Sequence, residues 1–124
     1  MGLDDLQVYN LSIEIGEIIW NIVSHWSYFE KDTLGKQTVR AVDSISANIS
    51  EGFGRFHYKE NKQFLYFARG SLFETKTWLW KANKRMLIDE YQYKEISKSI
   101  ELLGIKLNNY INSIGKTNPE SSKI

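Results

Sequence analysis

The only proline is Pro119, so every residue before it can donate a backbone amide and nothing upstream obliges a helix to stop. Apolar residues then recur at helical spacing through almost the whole chain. In residues 4–27, Val8, Leu11, Ile15, Ile18, Ile19, Ile22 and Trp26 fall on one side of a wheel turned 100° per residue. Leu34, Thr38, Ala41, Ile45, Ile49 and Gly52 do so for residues 33–53, with Asp32 as the expected N-cap. A third stripe, Phe64, Ala68, Leu72, Leu79, Ala82 and Met86, covers residues 59–87. The fourth, Ile96, Ile100, Leu103, Leu107, Tyr110 and Ile114, alternates steps of four and three, the seam of nearly antiparallel helices. Short connections are expected near 28–32, 54–58 and 88–91. The pattern predicts an all-α, antiparallel up-and-down four-helix bundle over residues 1–114, followed by a flexible polar tail at 115–124.

Two of these helices are apolar on both sides. Opposite its core stripe the third carries Tyr66, Phe73, Trp80 and Leu87, and the first carries Leu6, Tyr9, Ile13 and Trp20. The backs of the second and fourth are mostly polar, with Lys36, Asp43 and Ser50 on one and Lys94, Lys98, Glu101 and Asn112 on the other. A helix with two apolar sides needs two partners. Tyr66, Phe73 and Trp80 together would expose about 450–750 Å², against about 300–600 Å² for the largest apolar patch of a typical monomer. An irregular bundle could tuck both stripes into one wide core, but self-association accounts for the area better.

Charge sorts those stripes. The net charge is only +1, yet residues 1–32 carry six acids and one lysine, while residues 33–88 carry ten basic residues and four acids. A contact between an acidic first helix and a basic third is head-to-tail, which closes into a ring when the rotation allows. There are no cysteines, which excludes disulfides and thiolate metal sites. The acidic start MGLDDLQ is unlike a signal peptide, and no apolar run reaches the ~20 residues of a membrane span. A cytoplasmic protein without a membrane partner is expected.

The densest pattern runs from Ser44 to Leu79. It contains Ser44, Ile45, Ala47, Asn48, Ile49, Glu51, Gly52, Gly54 and Arg55, then Phe64, Leu65, Ala68, Gly70, Ser71, Leu72 and Glu74. These positions resemble the motif of the four-helix-bundle proteins encoded in intervening sequences of bacterial 23S rRNA genes. The likeness extends more loosely over residues 3–114. It implies a four-helix bundle, no established catalytic activity, and a toroidal homopentamer. It also implies kinship with accessory proteins of diversity-generating retroelements, which act with a reverse transcriptase and nucleic acid. Two positions depart from the motif: Ser46 stands where proline is usual, and His57 where serine commonly precedes the third helix.

Asn48, Glu51, Arg69, Ser71 and Glu74 are read as a polar seam between the second and third helices. Ala47, Gly52, Ala68 and Gly70 would let the two backbones approach. Arg69 paired with Glu51 or Glu74 would neutralise itself and leave no vacant donor, so a structural network is favoured over a ligand pocket. The connecting segment GFGRFHYKENK, residues 52–62, sets Arg55, His57, Lys59 and Lys62 beside Phe56 and Tyr58, and Lys36 and Arg40 extend the basic surface along the second helix. Cations interleaved with aromatics suit a single-stranded nucleic acid, although a solvated connection whose rings pack under the bundle end is as good a reading of the loop.

Other chemistry lacks its residues. A di-iron bundle needs Glu-x-x-His, but Ile22 and Gly54 stand three places before His25 and His57. Gly52 and Gly54 start a G-x-G that His57 fails to complete. Glu14 and Glu17 read as a solvated acidic face. The expectation is a non-enzymatic homo-oligomer without cofactor or metal, binding RNA or other nucleic acid through the second helix and the 52–62 loop. The alternative is a protein-interaction scaffold.

Overall fold

The computed structural model describes residues 1–115; the tail proposed for 115–124 lies outside them apart from Gly115. A short 3-10 turn, Leu3–Asp5, leads into helix α1, Gln7–Val23. Helix α2 runs unbroken through an α-turn Tyr28–Glu30, a π-helical segment Lys31–Gly35 and the α-helix Lys36–Phe53. Helices α3, Tyr58–Lys84, and α4, Glu90–Ser113, complete an antiparallel four-helix bundle. Each helix packs on two neighbours in the ring order α1–α2–α3–α4, with α2 and α3 the most closely joined. Helices α1 and α3 therefore hold diagonal corners.

The start of α2 corrects the sequence reading. Segment 28–32 is helical rather than a connection, and Ser27, not Asp32, is the cap. Ser27 Oγ accepts the Glu30 amide at 3.4 Å while Glu30 Oε1 accepts the Ser27 amide at 3.1 Å. That reciprocal capping box satisfies two donors that Asp32, a turn later, cannot reach. Asp32 instead pairs with Lys36 at 3.0 Å. A second box, Asp89 with Gln92, starts α4. Ser46, where a proline would have removed an amide, sits within an uninterrupted helix.

All six residues of the α2 stripe are buried, as are Ile15, Ile19, Leu72, Leu79, Ile100, Leu103 and Leu107. In α3, Leu65 takes the core position expected for Phe64, which is half-buried. Met86 is almost fully exposed, because the helix has ended and its φ is +61°. Ile18 also lies outside the core. The two buried threonines bond within their own helices: Thr38 Oγ1 donates to the Leu34 carbonyl at 2.7 Å and Thr75 Oγ1 to that of Ser71 at 2.8 Å. Gly52 is where α2 and α3 come closest. A Cβ there would lie 2.7 Å from Asn61 Oδ1 and 2.9 Å from the Asn61 backbone oxygen.

Candidate nucleic-acid interface and assembly faces

The 52–62 segment is tighter than its composition suggests. Arg55 pairs with Glu51 at 3.4 Å and lies over the Phe64 ring at 4.6 Å, so its charge is engaged twice within the bundle. His57 is the N-cap of α3 without a side-chain capping bond, and its ring meets the edge of Phe56 at 5.0 Å. Tyr58 packs against Gly115, where a Cβ would stand 2.9 Å from the ring. Lys59 is exposed and Lys62 half-buried, and neither makes an ion pair among the described residues. Phe56 is 70 % exposed, more than Tyr58 at 43 %.

Lys36 and Arg40 do not extend this surface. Arg40 precedes Arg55 by fifteen residues, so at 1.5 Å per residue they are about 22 Å apart along the axis. Their own surroundings form a groove of about 620 Å³ between the end of α1 and the start of α2, lined by Trp20, Val23, Lys31, Lys36, Val39 and Arg40 among others. Assigning 28–32 to a connection hid this site, since it took Lys31 off the helix. The Ser27-x-x-Glu30 capping box is the signal that could have revealed it. One turn further along, Asp43 faces α1: its carboxylate would be 3.3 Å from a Cβ on Gly16. Burial, and then the nearby Glu17 carboxylate, push the Asp43 acid above its ordinary range.

The candidate assembly residues divide. Tyr66, Phe73 and Trp80 are 44, 58 and 51 % exposed, in line on the outside of α3. A cation covers each: Arg69 at 5.2 Å from the Tyr66 centroid, Lys76 at 4.9 Å from Phe73 and Lys84 at 5.6 Å from Trp80. Leu87 is drawn inward beyond the helix end, where its carbonyl accepts from Trp26 Nε1 at 3.2 Å. On α1, Leu6 is buried and Tyr9 packs against the core, because the chain enters α1 along the α4 side; Ile13 and Trp20 alone remain exposed. Nor is the back of α4 uniformly polar: Leu102 and Ile105 are exposed, and Ile105 borders Phe73.

The polar seam has a different membership. Arg69 pairs with neither Glu51 nor Glu74; its Nη1 donates to Asn108 Oδ1 of α4 at 3.0 Å. Glu51 and Glu74 face outward. Ser44 is the residue the sequence reading missed: Ser71 Oγ donates to Ser44 Oγ at 2.9 Å, and Asn48 Nδ2 donates to the same oxygen at 3.0 Å and to the Ser44 carbonyl at 2.8 Å. Ser44 opens the motif, so its place in the pattern was visible but its partners were not. Of the small residues, Gly52 and Ala68 are buried, whereas Ala47 and Gly70 are on the outside.

This bundle is similar to a solved one. A crystal structure of a protein of unknown function from the S23 ribosomal protein family of Bacteroides thetaiotaomicron superposes with a TM-score of 0.79 at 25 % identity, covering 86 % of this chain and 96 % of that one. No curated protein matches the sequence. Residues 4–109, through all four helices and the 44–79 motif, match the profile of one family. The chain belongs to the 23S rRNA-intervening sequence proteins.

Proposed function

We infer that the protein acts without catalysis, as a homo-oligomer that binds nucleic acid. The observation that carries the assembly is the α3 face: three aromatic side chains in line, each about half exposed and each covered by a cation. Its complement on a second copy is the acidic part of the α1–α2 face, with Ile13 as the apolar contact and Glu14, Glu17 and Asp43 as charge partners for Arg69 and Lys84, Lys76 being already paired with Glu101 at 2.8 Å. Because the receiving face centres on α1, diagonal to α3, each copy can offer one face and receive on the other, which favours a ring. The nucleic-acid reading rests on cations beside exposed rings, at the 52–62 segment and at the head of α2, and on the family's origin within rRNA genes.

Phe73→Lys and Trp80→Lys should each lower the mass measured by light scattering while circular dichroism keeps its helical signal. A wild-type monomer at tens of micromolar would overturn the assembly. Binding of a single-stranded RNA should weaken with salt, with a log–log slope of about −0.7 per phosphate contacted. No binding at low salt would leave the protein as an interaction scaffold.

A further inference from the structure

We propose that the groove between α1 and α2 is a nucleotide seat in which a base stacks on Trp20 and its phosphate is held by Lys31 and Arg40, with Lys36 in support. This rests on the nucleic-acid reading above and gives it a place, away from the 52–62 loop. The groove, about 620 Å³, is within the roughly 300–1,000 Å³ range of small-ligand sites. Val23 and Val39 contribute its apolar floor, and Trp20, 60 % exposed, is an indole free to take a stacked ring. Among the described residues, three cations and no carboxylate line it. Lys36 is partly neutralised by Asp32, while Lys31 and Arg40 make no ion pair among the described residues.

Charge excludes the other occupant at hand, the aromatic α3 face of a second copy. That face brings Arg69 and Lys84 with it, beside Lys76, which Glu101 partly neutralises at 2.8 Å, and setting these against Lys31, Lys36 and Arg40 would oppose like charges. The same reasoning limits the ligand's length. One turn along, Glu17 and Asp43 would repel a phosphate chain that followed the groove, so a strand must cross the helix pair and leave one or two nucleotides in the seat. A planar base with an attached phosphate satisfies the indole and the cations together.

The test is fluorescence anisotropy of a labelled single-stranded oligouridylate of about ten nucleotides, competed with uridine 5′-monophosphate. Trp20→Ala should weaken binding about 5- to 150-fold, the fold-change equivalent of one lost base stack, and Trp20→Phe should restore most of it. Lys31→Ala with Arg40→Ala should flatten the salt slope by about 0.7 per lost phosphate contact. Lys59→Ala with Lys62→Ala, in the first turns of α3, should change neither quantity as much. Light scattering should give Trp20→Ala the wild-type mass, separating loss of stacking from loss of assembly. Displacement by the mononucleotide would assign the seat to a free nucleotide or strand end; displacement only by oligomers would assign it to a strand. If the oligomer binds and only the loop variants weaken it, the seat is wrong and the nucleic-acid reading stands. If neither probe binds the wild-type protein, both fail.

Discussion

The two ends of α2 carry the same kinds of residue and use them oppositely. At the C-terminal end, Arg55 is paired with Glu51 and covers Phe64, His57 meets Phe56, Tyr58 meets Gly115, and Gly52 is pressed against Asn61. At the N-terminal end, Lys31 and Arg40 are unpaired among the described residues, and Trp20 stands half open over a groove. A cation beside an aromatic ring is therefore not evidence of a binding surface until its existing partners are known. The C-terminal end commits Arg55 and Gly52 to closing the bundle and leaves Phe56 and Lys59 exposed beyond them, whereas the N-terminal end leaves Lys31, Arg40 and Trp20 together on one open groove.

Stability measurements should break this contrast if it is wrong. The largest effect belongs to Gly52→Ala. Its new methyl would meet a backbone oxygen at 2.9 Å as well as the Asn61 side chain, and such overpacking costs about 1–3 kcal/mol. Denaturant unfolding reads this directly, and an unchanged midpoint would show that α2 and α3 can separate without penalty.

Arg55→Ala should cost about 1 kcal/mol, from a half-exposed ion pair and a cation over Phe64. Arg40→Ala, with no ion pair to lose among the described residues, should stay within about 0.5 kcal/mol of wild type. Equal effects would erase the distinction between the two ends.

The smallest change lies between them. Asp43 is an acid whose folded-state pKa is raised, so the fold holds its proton more tightly than the unfolded chain does. Its contribution to stability is therefore most favourable at low pH, and falls as pH climbs from the unfolded value through the raised folded one. Asp43→Asn should remove that decline and stabilise at neutral pH, by at most about 0.5 kcal/mol given the exposure of the site. Thermal melts at pH 3 and pH 7 should show the variant's gain only at pH 7. A gain of equal size at both would point to packing rather than charge.

What the sequence by itself determined is the bundle: four helices, their approximate limits, and most of the core. Helical periodicity is local, and the six α2 positions read from it are all buried. The motif was equally legible, because its matched residues identify the family without reference to any contact. Local signals can still be outweighed by better local ones, as the Ser27–Glu30 box shows in displacing Asp32 as the cap. Only the tertiary structure decided which residues on the outer faces are free. Leu6, Tyr9 and Leu87 look like members of exposed stripes on a helical wheel, yet the chain's entry to α1 and exit from α3 fold them against the core. Arg69 has two glutamates within its own motif and bonds to Asn108, thirty-nine residues away. Partner choice depends on which side chains the packing of four helices brings within about 3 Å, and no spacing along one helix carries that information.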